Sequence, residues 1–154
     1  MKSLQLEKST AVKLFSKVPE WFQQTLISTF GSECFSTKIT DRVKTFLDAL
    51  DEKGKVMEDI YNEKDTPDEA AYKMIKFIIS VINEGWEPDW NNTDQKKWYP
   101  WFRLSSGFGF SGSAYIYDFT STLVGSRLCF ESKEKCEYVA NQFLDLYETF
   151  LTIK

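Results

Sequence analysis

The sequence predicts an α+β fold: an antiparallel sheet of about three strands, connected as a meander, packed against N-terminal helices, a central buried helix and a long C-terminal helix. Three observations carry that expectation. Up to about residue 85, apolar residues recur at helical spacing between recognisable start and stop signals. From Trp98 the pattern changes to short aromatic-rich runs of strand length, and from Ser132 the helical spacing returns. With 154 residues the chain has the size of one domain, read as a single domain over 1–154 with a helical part over about 1–85 and a sheet plus C-terminal helix over about 86–154.

Taken in order, Ser3 to Glu7 alternates apolar and polar residues and reads as a short edge strand. A short helix follows, capped at Ser9 or Thr10 and running to Phe15. The next has Pro19 in its first turn, Gly31 beyond its end, and Phe22, Leu26 and Phe30 on one face. A third, capped by Thr40, lays Val43, Phe46, Leu47 and Leu50 along one stripe before Gly54. Thr66-Pro67-Asp68-Glu69 is the clearest helix start: a capping Thr, Pro at the first helical position, and Glu three residues after the cap. That helix is expected to reach about Glu84 before Gly85. Its apolar positions cover more than one stripe, which marks it as widely buried. Strands are expected over Trp98–Leu104, Ser113–Thr120 and Gly125–Glu131, with Tyr115, Tyr117 and Phe119 giving the second an aromatic face. One last helix opens at Ser132, with Cys136, Val139, Ala140, Phe143, Tyr147, Phe150 and Leu151 packed towards the sheet.

Composition narrows the function classes. The chain is 42% hydrophobic and 27% charged, with only seven glycines and four prolines, outside the disordered and collagen-like ranges. The longest apolar stretch, Met74 to Ile82, is interrupted by Lys76 and Ser80 and is too short to span a bilayer, so no membrane association is expected. The first residues lack the apolar run of a secretory signal, which points to a cytosolic chain. Cys34, Cys129 and Cys136 are odd in number and contain no CxxC pair, so reduced, mostly buried thiols are expected rather than a disulfide framework or a zinc site. Residues 51–95 hold twelve acidic against five basic side chains in a chain of net charge −4. That balance disfavours a partner recognised mainly through phosphates.

No catalytic residue, metal or cofactor is assigned. The chain has no histidine, which removes the commonest general base and metal ligand. Glu84, Glu87 and Asp89 cluster in sequence beside tryptophans, in the manner of solvated acids at a helix end. Asp89 to Asp94 fails as an EF-hand loop, with no glycine at its sixth position and Pro100 where a bidentate Glu belongs. Gly107-Phe108-Gly109-Phe110-Ser111-Gly112 matches G-x-G-x-x-G literally, but a strand follows where a phosphate loop needs a helix. It reads instead as a hairpin or bulge anchored by its phenylalanines.

Aromatic residues make up 16% of the chain. Trp98, Tyr99, Trp101 and Phe102 cannot all be buried on one face of an alternating strand. Some must meet another surface or solvent. The candidate binding set is therefore Trp86, Trp90, Trp98, Tyr99, Trp101, Phe108 and Phe110, with Arg103 and Arg127 as cations. Exposed Trp and Tyr beside Arg suit a protein partner, and stacked rings with Arg127 suit nucleotides or single strands. Asp118 on the neighbouring strand is the structural partner expected for Arg127.

Several stretches resemble small uncharacterised proteins encoded by bacteriophages and prophages of gut anaerobic bacteria. They are Lys38–Phe46, Asn83–Asn92, Tyr99-Pro100-Trp101-Phe102, Gly125–Phe130, and the helix carrying Tyr138, Gln142, Phe143, Leu146 and Tyr147. The charged segment Asp51–Asp65 departs from that pattern. The resemblance implies a phage or mobile-element protein acting in the bacterial host cytoplasm or packaged in a virion, and it implies no catalytic residue. The leading expectation is a non-enzymatic accessory protein that binds another protein, a host factor or virion component, through its aromatic surface. The alternatives are a nucleotide or single-stranded nucleic-acid binder and a virion structural protein.

Overall fold

The computed structural model describes residues 6–104, 107–116 and 124–153, with residues 114–116 described by backbone alone. The chain forms two compact units, Met1–Lys55 and Val56–Lys154.

The first unit is helical: α1 (Lys8–Phe15), α2 (Glu20–Phe30), a 3-10 turn over Ser32–Phe35, α3 (Ile39–Arg42) and α4 (Phe46–Lys53). Ala11, Leu26, Ile39, Val43, Ala49 and Leu50 are buried in it, and the rings of Phe15 and Phe35 stack at 4.1 Å. The single helix expected from Thr40 is two. Thr45 and Asp48 form a reciprocal capping box: Asp48 N–H donates to Thr45 Oγ1 at 3.2 Å and Thr45 N–H to Asp48 Oδ2 at 2.9 Å. This starts a fresh helix, while Val43, at φ −104° and ψ 93°, is extended. Gly54 closes α4 in the left-handed conformation at φ 60°. The edge strand expected over Ser3–Glu7 falls mostly outside the described residues, and Leu6 and Glu7 are not in a strand.

The second unit is built on α5 (Pro67–Ile82), β1 (Lys97–Arg103), β2 (Gly109–Ile116), α6 (Lys133–Gln142) and α7 (Leu144–Leu151). α5 shares its unit with the strands. Glu69 accepts the Thr66 N–H at 2.9 Å, as the motif requires. Ala71, Ile75, Ile78, Ile79, Val81 and Ile82 are buried, so the wide apolar surface of α5 is spent on core. α7 packs along α5, with Tyr72 and Phe150 rings 5.4 Å apart, and α6 packs on both strands. The expected single C-terminal helix is broken at Phe143, whose φ −116° and ψ 35° leave the helical region. Phe143 at the break and Tyr147 in the first turn and a half of α7 are both buried.

The fold is α+β, and its sheet among the described residues has two antiparallel strands rather than three. The expected third strand, Gly125–Glu131, is a 3-10 turn over Ser126–Leu128 followed by one isolated bridge, Phe130 to Trp98. The reason lies on β1. Trp98 exchanges both backbone bonds with Phe130, at 3.0 and 2.8 Å. The next residue whose backbone faces that edge is Pro100, which has no N–H to give. The part of the expected second strand beyond Ile116, with Tyr117 and Phe119, lies outside the described residues, as does Asp118.

Asn83, just past α5 and 5% exposed, joins the helix to the chain at the bridge. Its Nδ2 donates to the Cys129 carbonyl at 2.9 Å and its Oδ1 accepts the Glu131 N–H at 3.2 Å. Asn83→Ala orphans both backbone groups, each at a cost of about 1–3 kcal/mol. Its expected effect is a loss of about 3 kcal/mol of stability, read as a lower denaturant midpoint with unchanged slope.

Candidate functional site

The nine candidate residues do not form one surface; they divide among four settings. Phe108 and Phe110 flank Phe102, stacked at 5.2 Å and edge-on at 6.2 Å, and the other side of Phe102 meets Tyr147 of α7 at 4.5 Å. These rings are packing. The glycine motif serves them: Gly107 takes φ 106°, Gly109 opens β2, and Ser111 is left without a cross-strand partner between the pairs Trp101–Gly112 and Phe102–Phe110. That bulge resolves the motif as a strand irregularity.

The second setting is a clasp at the start of β1. Lys97 is 1% exposed, its ammonium donating to the Asn92 carbonyl at 2.8 Å and lying 5.5 Å from the centre of the Trp90 ring. A buried cation needs such compensation, and an indole face together with a carbonyl supplies it. Trp90 in turn donates from Nε1 to Ser126 Oγ at 2.7 Å. The loop before β1 is thereby tied to the 126–128 turn. Trp98, half-buried, sits beside this clasp through its bridge to Phe130. Asp89 Oδ1 accepts the Asn91 N–H, and Glu84 pairs with Lys135 at 3.1 Å. Two of the three clustered acids are thus committed to local structure.

The third setting is the far end of β1. Tyr99 is 8% exposed and Trp101, its ring centre 5.9 Å away, is 50% exposed. Arg103 is exposed, as is Leu104 at 63%. The surplus of aromatic residues in this strand thus comes to the surface chiefly at Trp101.

The fourth setting is a groove of about 660 Å³ that brings Trp86 and Arg127 to one concave surface. One wall is α5, where Lys73, Phe77 and Ser80 follow helical spacing with Lys76 beside them, continued past the helix end by Asn83. The facing wall is Trp86-Glu87-Pro88 and the Ser126-Arg127 turn. Lys73 is held at the rim by Asp65, Nζ to Oδ1 at 2.6 Å. Arg127 is exposed on its turn, and none of the ion pairs among the described residues involves it.

Sequence reasoning missed Lys73, Lys76 and Phe77, whose i, i+3, i+4 spacing on α5 was the available signal. It also missed Trp21, 71% exposed on α2. Trp21 lies off the Phe22–Leu26–Phe30 stripe, which was visible from the helical wheel. Among the described residues no helix is long and apolar enough to cross a membrane, and no three Cys, Asp or Glu side chains gather as a metal-binding group.

Burial sets the thiol chemistry. It pushes the Cys129 thiol up to about 11, against the pull of the nearby Lys97 charge, and it pushes Cys136 higher still, helped by Glu137. Cys34 is only half-buried. At pH 8 an aromatic disulfide reagent is expected to titrate one thiol of the native protein, Cys34, and the other two only after unfolding. The Tyr147 hydroxyl is buried without a hydrogen-bond partner among the described residues, so Tyr147→Phe removes an unpaid desolvation cost. Thermal or denaturant unfolding should show an unchanged or higher stability, by up to about 1 kcal/mol. In comparison with known proteins, no family model matches the chain, and neither a curated protein nor a solved structure matches it significantly.

Proposed function

We propose that the chain is a non-enzymatic accessory protein of a phage or mobile element that binds another protein, a host factor or a virion component, through the exposed end of β1. One observation carries this reading: Trp101 keeps half of its surface in solvent while its ring rests on buried Tyr99. An indole held in place by the core loses little side-chain freedom on binding, and Trp, Tyr and Arg are the residues on which interface energy concentrates. Arg103 and Leu104 extend the same stretch with a cation and an exposed aliphatic side chain. The phage setting rests on the resemblance of the stretches Asn83–Asn92 and Tyr99–Phe102, which implies the host cytoplasm or the virion.

Affinity capture from host lysate and from purified virions, comparing wild type with Trp101→Ser/Leu104→Ser, tests the reading. A protein retained by the wild type is expected to be lost by the variant. With that protein purified, affinity should fall about 30-fold or more, the scale of an interface hot spot of about 2 kcal/mol. Equal retention by both chains would remove Trp101 from any interface.

A further inference from the structure

We propose that the groove between α5 and the 126–128 turn binds a free nucleoside monophosphate. The site is separate from the β1 surface and rests on different residues. Its volume of about 660 Å³ falls within the range of small-molecule sites, roughly 300–1,000 Å³.

Charge identifies the anionic half of the ligand. Residues 51–95 are strongly acidic, yet two of their five bases, Lys73 and Lys76, stand on the groove wall, and Arg127 faces them from the turn. An arginine fork with two ammonium groups is the usual reception for a phosphate dianion. Lys73 is steered to the rim by Asp65, and Lys76 lies 6.0 Å from the centre of the Tyr72 ring on the same helix.

The remaining lining identifies the rest of the molecule. Trp86 and Phe77 offer flat apolar surface for a base. Asp59 and Glu87 also line the groove, and carboxylates there suit the hydroxyls of a ribose as acceptors. They also limit the phosphate count. Of the three cations, Lys73 is already paired with Asp65, so Lys76 and Arg127 are left to match the two charges of a monophosphate, and Asp59 and Glu87 would repel the added charge of a di- or triphosphate.

The groove is preorganised. Ser126, next to Arg127, receives the Trp90 indole N–H at 2.7 Å, and Trp90 is held over the buried Lys97 ammonium. The wall that presents Arg127 is therefore fixed by the clasp before any ligand arrives, which lowers the ordering cost of binding.

Isothermal titration calorimetry at low ionic strength with adenosine 5′-monophosphate, adenosine and inorganic phosphate tests the proposal. The monophosphate is expected to bind with one-to-one stoichiometry, and adenosine and phosphate at least about ten-fold more weakly. Arg127→Ala and Lys76→Ala, both at exposed positions, should each weaken binding by about ten-fold, whereas Trp101→Ser should bind as the wild type does. That last arm separates this site from the protein-binding surface. No heat with the monophosphate up to millimolar concentration, phosphate binding as tightly as the nucleotide, or wild-type affinity in Arg127→Ala would each overturn it.

Discussion

The second unit depends on how the end of α5 is joined to the chain at Cys129–Glu131. A helix presents its side chains to a sheet but has few backbone groups left to offer sideways. Asn83 supplies the missing donor and acceptor, since its carboxamide copies a peptide unit and pairs with residues 129 and 131 as a neighbouring strand would. Lys135 repeats the connection at the surface, with Nζ reaching Glu84 after α5 and Glu131 before α6. Burial of Lys135 opposes its charge, but the two carboxylates more than offset this and raise its pKa. Helix, bridge and following helix are thus fixed at one place, and both the clasp and the groove are built outwards from it.

This junction also explains why the turn carrying Arg127 is well placed. Gly125 at φ 73° and the Ser126–Leu128 turn lie just before the residues gripped by Asn83. The turn's other tether, Trp90 to Ser126, comes from the loop before β1. A side chain on a short turn held from two directions keeps its position without belonging to a regular element, and that is where recognition residues are commonly found.

Local chemistry made much of the fold legible. The Thr66–Glu69 start of α5, the Gly31 and Gly54 stops, and Ser132 capping α6 through the Lys135 N–H are contained within a few residues. Two of the errors share one cause: periodicity does not register a break that preserves the apolar stripe. Val43, Phe46 and Leu50 fit one continuous helix although a capping box restarts it at Thr45. Phe143 and Tyr147 likewise fit one helix although the backbone departs at Phe143. The third strand failed for a different reason, because ladder formation depends on the partner's backbone, and Pro100 is distant in sequence from Phe130. The candidate site was legible as composition and not as geometry. Alternation along β1 showed that its aromatic residues could not share a face, but not which would be covered. Lys97 is the sharpest case, since only the packed loop shows it buried against Trp90.

Pro100 has a consequence beyond limiting the sheet. A two-stranded ribbon leaves peptide groups exposed on its flanks, and such flanks readily recruit a strand from another molecule. On the Phe130 side of β1 the bridge occupies Trp98 and the next outward position is an imino acid, so an incoming strand would find an interrupted row of donors. The protein can therefore display an indole on this strand with less danger of adding a copy of itself along that flank.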